Sequence, residues 1–321
     1  MLNYIVRRIA ISIPVVVVAS ILLFWFVSTS VDPTARLAQS RDPTLVERER
    51  ERLGLNEPIV EQYTTWAGNF VQGDWGESFI SRRAVSTEIW TALKNTVQLI
   101  VWAVVICTIV SILIGVYSAV RQYSALDYTF TFGSFLGLSI PTFFFALLAI
   151  HFLTTELRDW LGWDDPLFYS VGTHTPGDSS YQDFFRHIAL PVLTLSVQLI
   201  AGWSRYQRSA MLDVLGADYI RTARAKGVPR RKVIFKHALR NALIPLTTVM
   251  AVDIAALFGG LIVTEFIFSW PGMGRLFVDA IVQGDTNIVL PWMVITAGFI
   301  IFFNLLADVV YGALDPRIRL S

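Results

Sequence analysis

Long apolar stretches constrain the fold of this chain more than any other feature of its sequence. Six of them stand out, at residues 9–27, 97–120, 130–153, 188–202, 244–268 and 288–311. A helix needs roughly 20 mainly apolar residues to cross the hydrocarbon core of a bilayer, and most of these stretches reach that length. Charged residues make up 16% of the chain, whereas a soluble domain has about 25%. The sequence therefore predicts an all-α integral membrane protein with six transmembrane helices.

The polar segments between these stretches predict how the chain is divided. Residues 1–94 are predicted to hold the first transmembrane helix and a long helical segment outside the membrane. Residues 95–312 are predicted to form a five-helix core with a basic loop at 213–243, and residues 313–321 a tail. The first apolar stretch could be a signal peptide, but it is long enough to span a bilayer and no A-x-A-like cleavage site follows it. It is therefore interpreted as an uncleaved span.

The distribution of charge predicts the orientation in the membrane. Ten Lys and Arg residues lie between positions 205 and 240. The loops after the third and fifth spans hold three Arg residues against eight Asp and Glu residues. Short cytoplasmic loops carry an excess of Lys and Arg, while segments as long as residues 32–94 are translocated largely regardless of charge. Both termini are therefore predicted to be cytoplasmic, and the long segment between the first two spans extracytoplasmic.

The basic loop contains a segment, residues 218–245, that is predicted to form two short helices joined by a tight turn. Asp218 can cap the first helix, Gly227 can end it in the left-handed conformation, and Pro229 can open the second helix. Apolar residues follow one face of the second helix: Val233, Ile234, Ala238 and Ala242. Basic residues follow another face: Lys232, Lys236 and Arg240. A basic hairpin between two apolar spans is predicted to lie on the cytoplasmic surface.

Sequence signatures of catalysis are absent. The chain has no G-x-x-x-x-G-K-[ST] phosphate loop and no G-x-S-x-G elbow, and its four His residues lack metal-ligand spacing. Its single cysteine, Cys107, excludes an intrachain disulfide. Glu and Arg alternate at residues 47–52, which favours a solvated helix face over a nucleic-acid patch. The sequence thus predicts neither an enzyme nor a nucleic-acid-binding protein, and leaves a stand-alone secondary transporter as an alternative.

Two carboxylates near the fifth span are candidates for special roles. Asp253 lies within that span, where a carboxylate is costly unless it faces a polar cavity or a partner. Two interpretations of Asp253 stay open: it lines a translocation path, or it pairs with a neighbouring span. Glu265 lies near the predicted outer end of the same span, where a capping or interface role is favoured over substrate contact.

Several motifs resemble those of a known family. The string DYIRTARAKG at 218–227, followed by KHALRNALIP at 236–245, resembles the EAA loop of ABC-importer permeases, and within it the oligopeptide/dipeptide branch. The shared element is an Ala, three residues and a Gly, here Ala223 and Gly227. Arg221, Thr222 and Arg240 depart from the general pattern as expected in the peptide branch. Three other stretches support the match: QYTTWAGNFVQGDWGES at 62–78, FSWPGMGRL at 268–276 and ALDPRIR at 313–319.

This resemblance implies a permease subunit of an ATP-driven importer in the bacterial cytoplasmic (inner) membrane. Such a subunit contacts membrane lipid and pairs with a homologous second permease, forming a heterodimer. The implied further partners are an extracytoplasmic substrate-binding protein and two ATP-binding subunits or domains. ATP and Mg²⁺ would bind to the latter, so this chain would hold no cofactor itself. The implied substrates are di- or oligopeptides, with nickel chelates, glutathione or oligosaccharides as alternatives within the family.

The resemblance also implies roles for particular residues. An ATPase-coupling helix would be formed by Asp218, Tyr219, Ile220, Arg221, Thr222, Ala223, Arg224, Ala225, Lys226 and Gly227. The alternative for this segment is a basic loop that touches anionic lipid. Together with the loop at 154–186, a platform for the binding protein would be formed by Trp270, Pro271, Gly272, Met273 and Gly274. The alternative there is interfacial anchoring by Phe268 and Trp270.

Overall fold

The fold is described by a computed structural model that covers residues 2–32, 34 and 43–314. Residues 33 and 35–42 of the predicted outer segment, and residues 315–321 of the predicted tail, lie outside the described residues. Within the described ranges the chain is helical, and its β-contacts are confined to an isolated bridge between Glu77 and Ala84. The predicted all-α class is confirmed.

Most helices follow one another with short connections, whereas residues 162–180 form a long loop before the eighth helix. They are α1 (Leu2–Ser30), α2 (Pro43–Arg52), α3 (Ile59–Gln72), α4 (Val85–Val120), α5 (Ala125–Ser139), α6 (Thr142–Ile150), α7 (Leu157–Leu161), α8 (Tyr181–Gly216), α9 (Asp218–Ala225), α10 (Arg230–Lys232), α11 (Leu239–Gly260), α12 (Ile262–Ile267), α13 (Met273–Gln283) and α14 (Thr286–Leu314). Two π-helical turns, His151–Glu156 and Val233–Ala238, join α6 to α7 and α10 to α11.

The helices that can cross a membrane agree with the predicted spans, with one correction. In the described part of the chain, 5 helices are long and apolar enough to cross a membrane: α1, α4, α8, α14 and the continuous helix from α10 into α11. A sixth span exists only if α5 and the helix from α6 to α7 are counted together, and these are bent by 107° against each other. The stretch predicted as one span at 130–153 is therefore broken in the structure, and it counts as one span only if its two parts are taken together.

The bend lies at Ile140 and Pro141, between α5 and α6. A proline disfavours the helical conformation in the residue before it, and Ile140 is extended, with φ −85° and ψ 123°. The break would leave the Ile140 carbonyl without a helical partner, but the Gln198 side chain of α8 donates to it at 3.2 Å. The break thus follows from Pro141 and is stabilised by α8.

Helices α4 and α8 pack against each other along the centre of the bundle. Helix α4 begins at Val85, before the stretch predicted at 97–120, because Val85, Ile89 and Leu93 already contribute to its buried face. Helix α8 continues beyond the predicted apolar stretch 188–202 to Gly216. Helices from the second half of the chain pack against these two long helices.

Helix α1 lies at the periphery and is held by α3 and α14. Most of its apolar side chains are exposed, as expected of a helix that faces lipid, but Phe24 is buried against Tyr63 and Trp66 of α3. The aromatic side chains of Tyr63 and Trp66 on α3 therefore pack on their own protein. Beyond the end of α1, the Asp32 carboxylate accepts hydrogen bonds from the side chains of Thr34 and Arg50. The pKa of Asp32 is lowered, and the largest cause is the hydrogen bond from the Thr34 hydroxyl.

Candidate functional site

The predicted coupling helix forms as α9, a separate element between two long helices. Its N-cap is Ala217, whose extended backbone (φ −69°, ψ 149°) ends α8 and starts α9 without a side-chain hydrogen bond. The predicted capping role of Asp218 is therefore wrong. Asp218 is the first helical residue, where a carboxylate still favours the positive end of the helix dipole, and it lies 3.6 Å from the guanidinium of Arg221.

The turn after α9 is the one that the sequence predicts, but the second helix is longer. Gly227 has φ +76°, a left-handed conformation that glycine adopts without steric cost. Pro229 precedes α10, which runs through the π-helical turn directly into α11. The expected short second helix and the fifth span are therefore one continuous helix. As predicted, its apolar face is turned inward, with Val233, Ala238 and Ala242 buried.

Two side chains hold α9 against the bundle. Ile220 is 0% exposed and packs in a cluster with Val116 of α4, Met211 of α8 and Ala242 of α11. The Tyr219 hydroxyl accepts a hydrogen bond of 2.8 Å from Asn241 of α11. Apart from Ile220 and the half-buried Ala223, the side chains of the segment 218–227 are exposed. The helix is thus tethered on one face and free on the rest.

The helices on either side of α9 meet again deeper in the bundle, at Asp253. The indole Nε1 of Trp203 on α8 donates to Oδ2 of Asp253 on α11 at 2.6 Å. Asp253 is half-buried and also lines a cavity of about 530 Å³ between α5, α6, α8, α11 and α12. Both interpretations of Asp253 thus find support in the geometry: it pairs with a neighbouring helix, and it faces a cavity. That this cavity belongs to a translocation path stays a prediction.

The cavity owes its shape to the break between α5 and α6. Thr142 and Phe143, the first residues of α6, line it together with Gln198 and Trp203 of α8. Sequence analysis did not identify Trp203, Gln198 or Thr142. Pro141 could have signalled the break, but a Trp or Gln within an apolar stretch gives no indication of which helix it will contact.

The second region of interest, which we call the Glu265 turn, comprises residues 265–274. Glu265 is 0% exposed and accepts hydrogen bonds from the Thr96 hydroxyl (2.5 Å), the Gly274 amide (2.6 Å) and the Arg275 amide (3.3 Å). The two amides belong to the first turn of α13, whose unpaired N–H groups need an acceptor. Glu265 therefore has the capping role expected for it.

The residues predicted to dock a binding protein lie in this turn, and most are inaccessible. Trp270, Gly272, Met273 and Gly274 are buried, and Pro271 is exposed. The Trp270 indole donates to the backbone carbonyl of Asn95 at 3.1 Å, and Phe268 is also buried. Neither aromatic side chain is therefore available as a lipid anchor. Docking of a partner at this turn stays a prediction, in which Pro271 offers the directly accessible surface.

Comparisons with known proteins match nearly the whole chain to one family. The model of the family "Binding-protein-dependent transport system inner membrane component" matches residues 111–320, and the model of its N-terminal region matches residues 1–100. The chain is 41% identical to the oligopeptide transport system permease protein AppB of Bacillus subtilis, over 99% of this chain and 100% of AppB. It is 39% identical to OppB, the oligopeptide permease of Mycobacterium tuberculosis, over 100% of both chains.

Two further similarities extend the comparison. The glutathione transport system permease protein GsiC of Escherichia coli is 36% identical over 99% of each chain. The crystal structure of an amino acid ABC transporter with histidines aligns with a TM-score of 0.51 at 12% identity, covering 71% of this chain and 94% of that one, and supports the fold alone. The helical bundle, its apolar spans and the two family models together identify this chain as a member of the family of inner-membrane permease components of binding-protein-dependent ABC importers, a multi-pass protein of the bacterial inner membrane.

Proposed function

We propose that this chain is one permease half of an ABC importer for di- or oligopeptides, and that residues 218–227 dock onto an ATP-binding partner. A homologous second permease completes the path, ATP and Mg²⁺ bind to the partner ATPase subunits, and an extracytoplasmic binding protein delivers the substrate. Both termini and the basic loop are then cytoplasmic. Residues 32–94, the loop 154–186 and the Glu265 turn face the other side.

The observation that carries the proposal is the placement of α9. Its exposed face is free to seat in a partner, while Ile220 and Tyr219 bind it to the helices around it. A movement of α9 would therefore be passed to α8 and α11, the two helices that hold Trp203 and Asp253. Closure of the ATPase pair could in this way change the cavity at Asp253, as rigid-body switching between two arrangements requires.

The names of the relatives favour peptides as the substrates of this chain. AppB and OppB are oligopeptide permeases by name and match the whole chain at 39–41% identity. Glutathione is the second candidate, because GsiC is similar over the same length at 36% identity. Glutathione is itself a short peptide with a free amino group, so the two candidates share their chemistry.

The coupling assignment can be tested by purifying the chain in detergent from its native membrane and assaying the ATPase activity that accompanies it. Ala225→Arg places a bulky cation on the exposed face of α9, and we expect it to reduce the co-purifying activity at least about tenfold, a loss of roughly 1.4 kcal/mol in binding. Ala125→Arg is the matched control, since Ala125 is also exposed but begins α5, outside the basic loop.

The possible outcomes separate the alternatives. Activity lost in Ala225→Arg and kept in Ala125→Arg supports the contact at α9. Activity kept in both variants would move the contact elsewhere on the chain. A chain that purifies without ATPase activity and transports in liposomes under an ion gradient would instead be a secondary transporter.

A further inference from the structure

We propose that the carboxylate of Asp253, whose hydrogen-bond partner within the protein is Trp203, forms a binding site for the protonated amino group of the transported substrate. The inference rests on the proposed function, because it assigns the cavity at Asp253 to the substrate path. It goes beyond that function by naming the chemical group that the path recognises.

The first step is the incomplete pairing of the carboxylate. Trp203 Nε1 contacts Oδ2 of Asp253 at 2.6 Å, and this is the polar contact that the described residues provide. Neither a Lys nor an Arg in the described ranges forms an ion pair with it. A half-buried carboxylate at membrane depth is costly without a counter-charge or a polar cavity. Asp253 therefore retains an oxygen atom and a negative charge with which to bind a cation.

The second step is access to the carboxylate. Asp253 lines a cavity of about 530 Å³, within the range of roughly 300–1,000 Å³ that small-molecule sites occupy. Phe143 and Val263 at its border are exposed, so the cavity opens at the surface of this chain. A ligand as large as one end of a peptide can enter it.

The third step is the choice of an ammonium group over other cations. Aromatic faces attract organic cations, and the exposed ring of Phe143 lines the same cavity as the carboxylate. Trp203 is buried and contributes its indole N–H to Asp253. A divalent metal would require several oxygen or nitrogen ligands, and no group of three or more His, Cys, Asp or Glu residues suited to a metal occurs in the described part of the chain. One carboxylate in a cavity that also holds an exposed phenylalanine ring suits a peptide amino terminus, which carries a single positive charge.

The test measures ATP-driven uptake into liposomes by the complete importer, at saturating loaded binding protein. Two probes are compared: tri-alanine, with a free amino terminus, and N-acetyl-tri-alanine, without one. Binding of each probe to the isolated binding protein is measured separately, so that selectivity at that step can be divided out. The readout is the ratio of the two corrected uptake rates.

Four variants test whether the charge of Asp253 is what recognises the amino group. Asp253→Asn keeps an acceptor for the Trp203 indole but removes the charge, and we expect tri-alanine uptake to fall at least about tenfold while N-acetyl-tri-alanine uptake is retained. Asp253→Glu restores the charge and most of the ratio. Trp203→Phe removes the hydrogen bond but keeps the carboxylate, so the ratio stays near that of the wild type. Asp279→Asn removes an exposed carboxylate outside the cavity and controls for the change in net charge.

Different failures have different meanings. If Asp253→Asn transports tri-alanine at the wild-type rate, or lowers the uptake of both probes equally, the carboxylate does not recognise the amino group and the inference is overturned. The same holds if Trp203→Phe lowers the ratio as much as Asp253→Asn. If the wild-type importer takes up no peptide at all, the proposed function fails instead.

Discussion

The basic loop and the Glu265 turn are both glycine-containing connections between helices, yet the structure uses them in opposite ways. In the segment 218–227 of the basic loop, Ile220 is the fully buried side chain, and most of the others are exposed. In the Glu265 turn, the carboxylate, the Trp270 ring and both glycines are buried. The first region presents its side chains outward, and the second directs them into its own bundle.

This difference shows that a motif that stands out in a sequence can serve either the protein's own fold or a contact with another protein. Hydrogen bonds from Thr96, Gly274 and Arg275 all end on Glu265, so the turn is fixed by its own chain. Helix α9 has a single buried anchor and a tyrosine contact, which leaves its outer face for another protein. A change in the turn should therefore act on folding, and a change in the loop on coupling.

The largest effect on stability is expected for Glu265→Ala. This change leaves the Thr96 hydroxyl, the buried Gly274 amide and the partly buried Arg275 amide without their acceptor, and it should lower the free energy of unfolding by about 3 kcal/mol or more. The single cysteine, Cys107, is buried, so its rate of labelling by a thiol reagent, read from the mass of this chain in the purified complex, reports opening of the bundle. The control is Glu61→Ala, at an exposed position on α3. Equal labelling of Cys107 in both variants would contradict the assigned role of Glu265.

A smaller effect on stability is expected for Gly274→Ala. A Cβ atom at Gly274 would collide with the backbone Cα of Ile262, and α12 or α13 must shift to relieve the overlap, at about 1–3 kcal/mol. Gly298→Ala is the matched control, since a Cβ there meets nothing within 4 Å. The same Cys107 labelling assay applies, and a Gly274→Ala protein as resistant as Gly298→Ala would show that the two helices are not closely packed at this position.

Gly227→Val is expected to have the smallest effect on stability but the clearest effect on the coupling of transport to ATP hydrolysis. Gly227 and Gly284 have φ of +76° and +68°, so a β-branched residue at either should cost about 1–2 kcal/mol of backbone strain. Only Gly227 adjoins α9, and we expect its substitution to lower the amount of peptide imported per ATP hydrolysed several-fold. Gly284→Val should keep that ratio near the wild-type value. A lowered ratio in both variants would mean that strain alone, and not the position of α9, reduces coupling.

Part of the fold and of the candidate site could be predicted from local sequence. The apolar stretches predicted helices, and Gly227 lies at the turn where its backbone freedom is needed. The cap at Asp218 was wrong because Ala217 already takes the extended conformation between the helices. The apolar stretch 130–153 was predicted as one span, and its Pro141 is where the structure bends it between α5 and α6.

The sequence by itself determined what depends on neighbours along the chain: the helical class, the apolar stretches that can cross a membrane, and a basic helical segment between two of them. Only the tertiary structure decided what depends on distant residues. It paired Trp203 with Asp253 across two helices, directed Glu265 to Thr96, and buried Trp270 beside Asn95. An apolar stretch indicates that a helix crosses the membrane but not which neighbour each face contacts, because in lipid that choice follows from close packing and hydrogen bonds between helices.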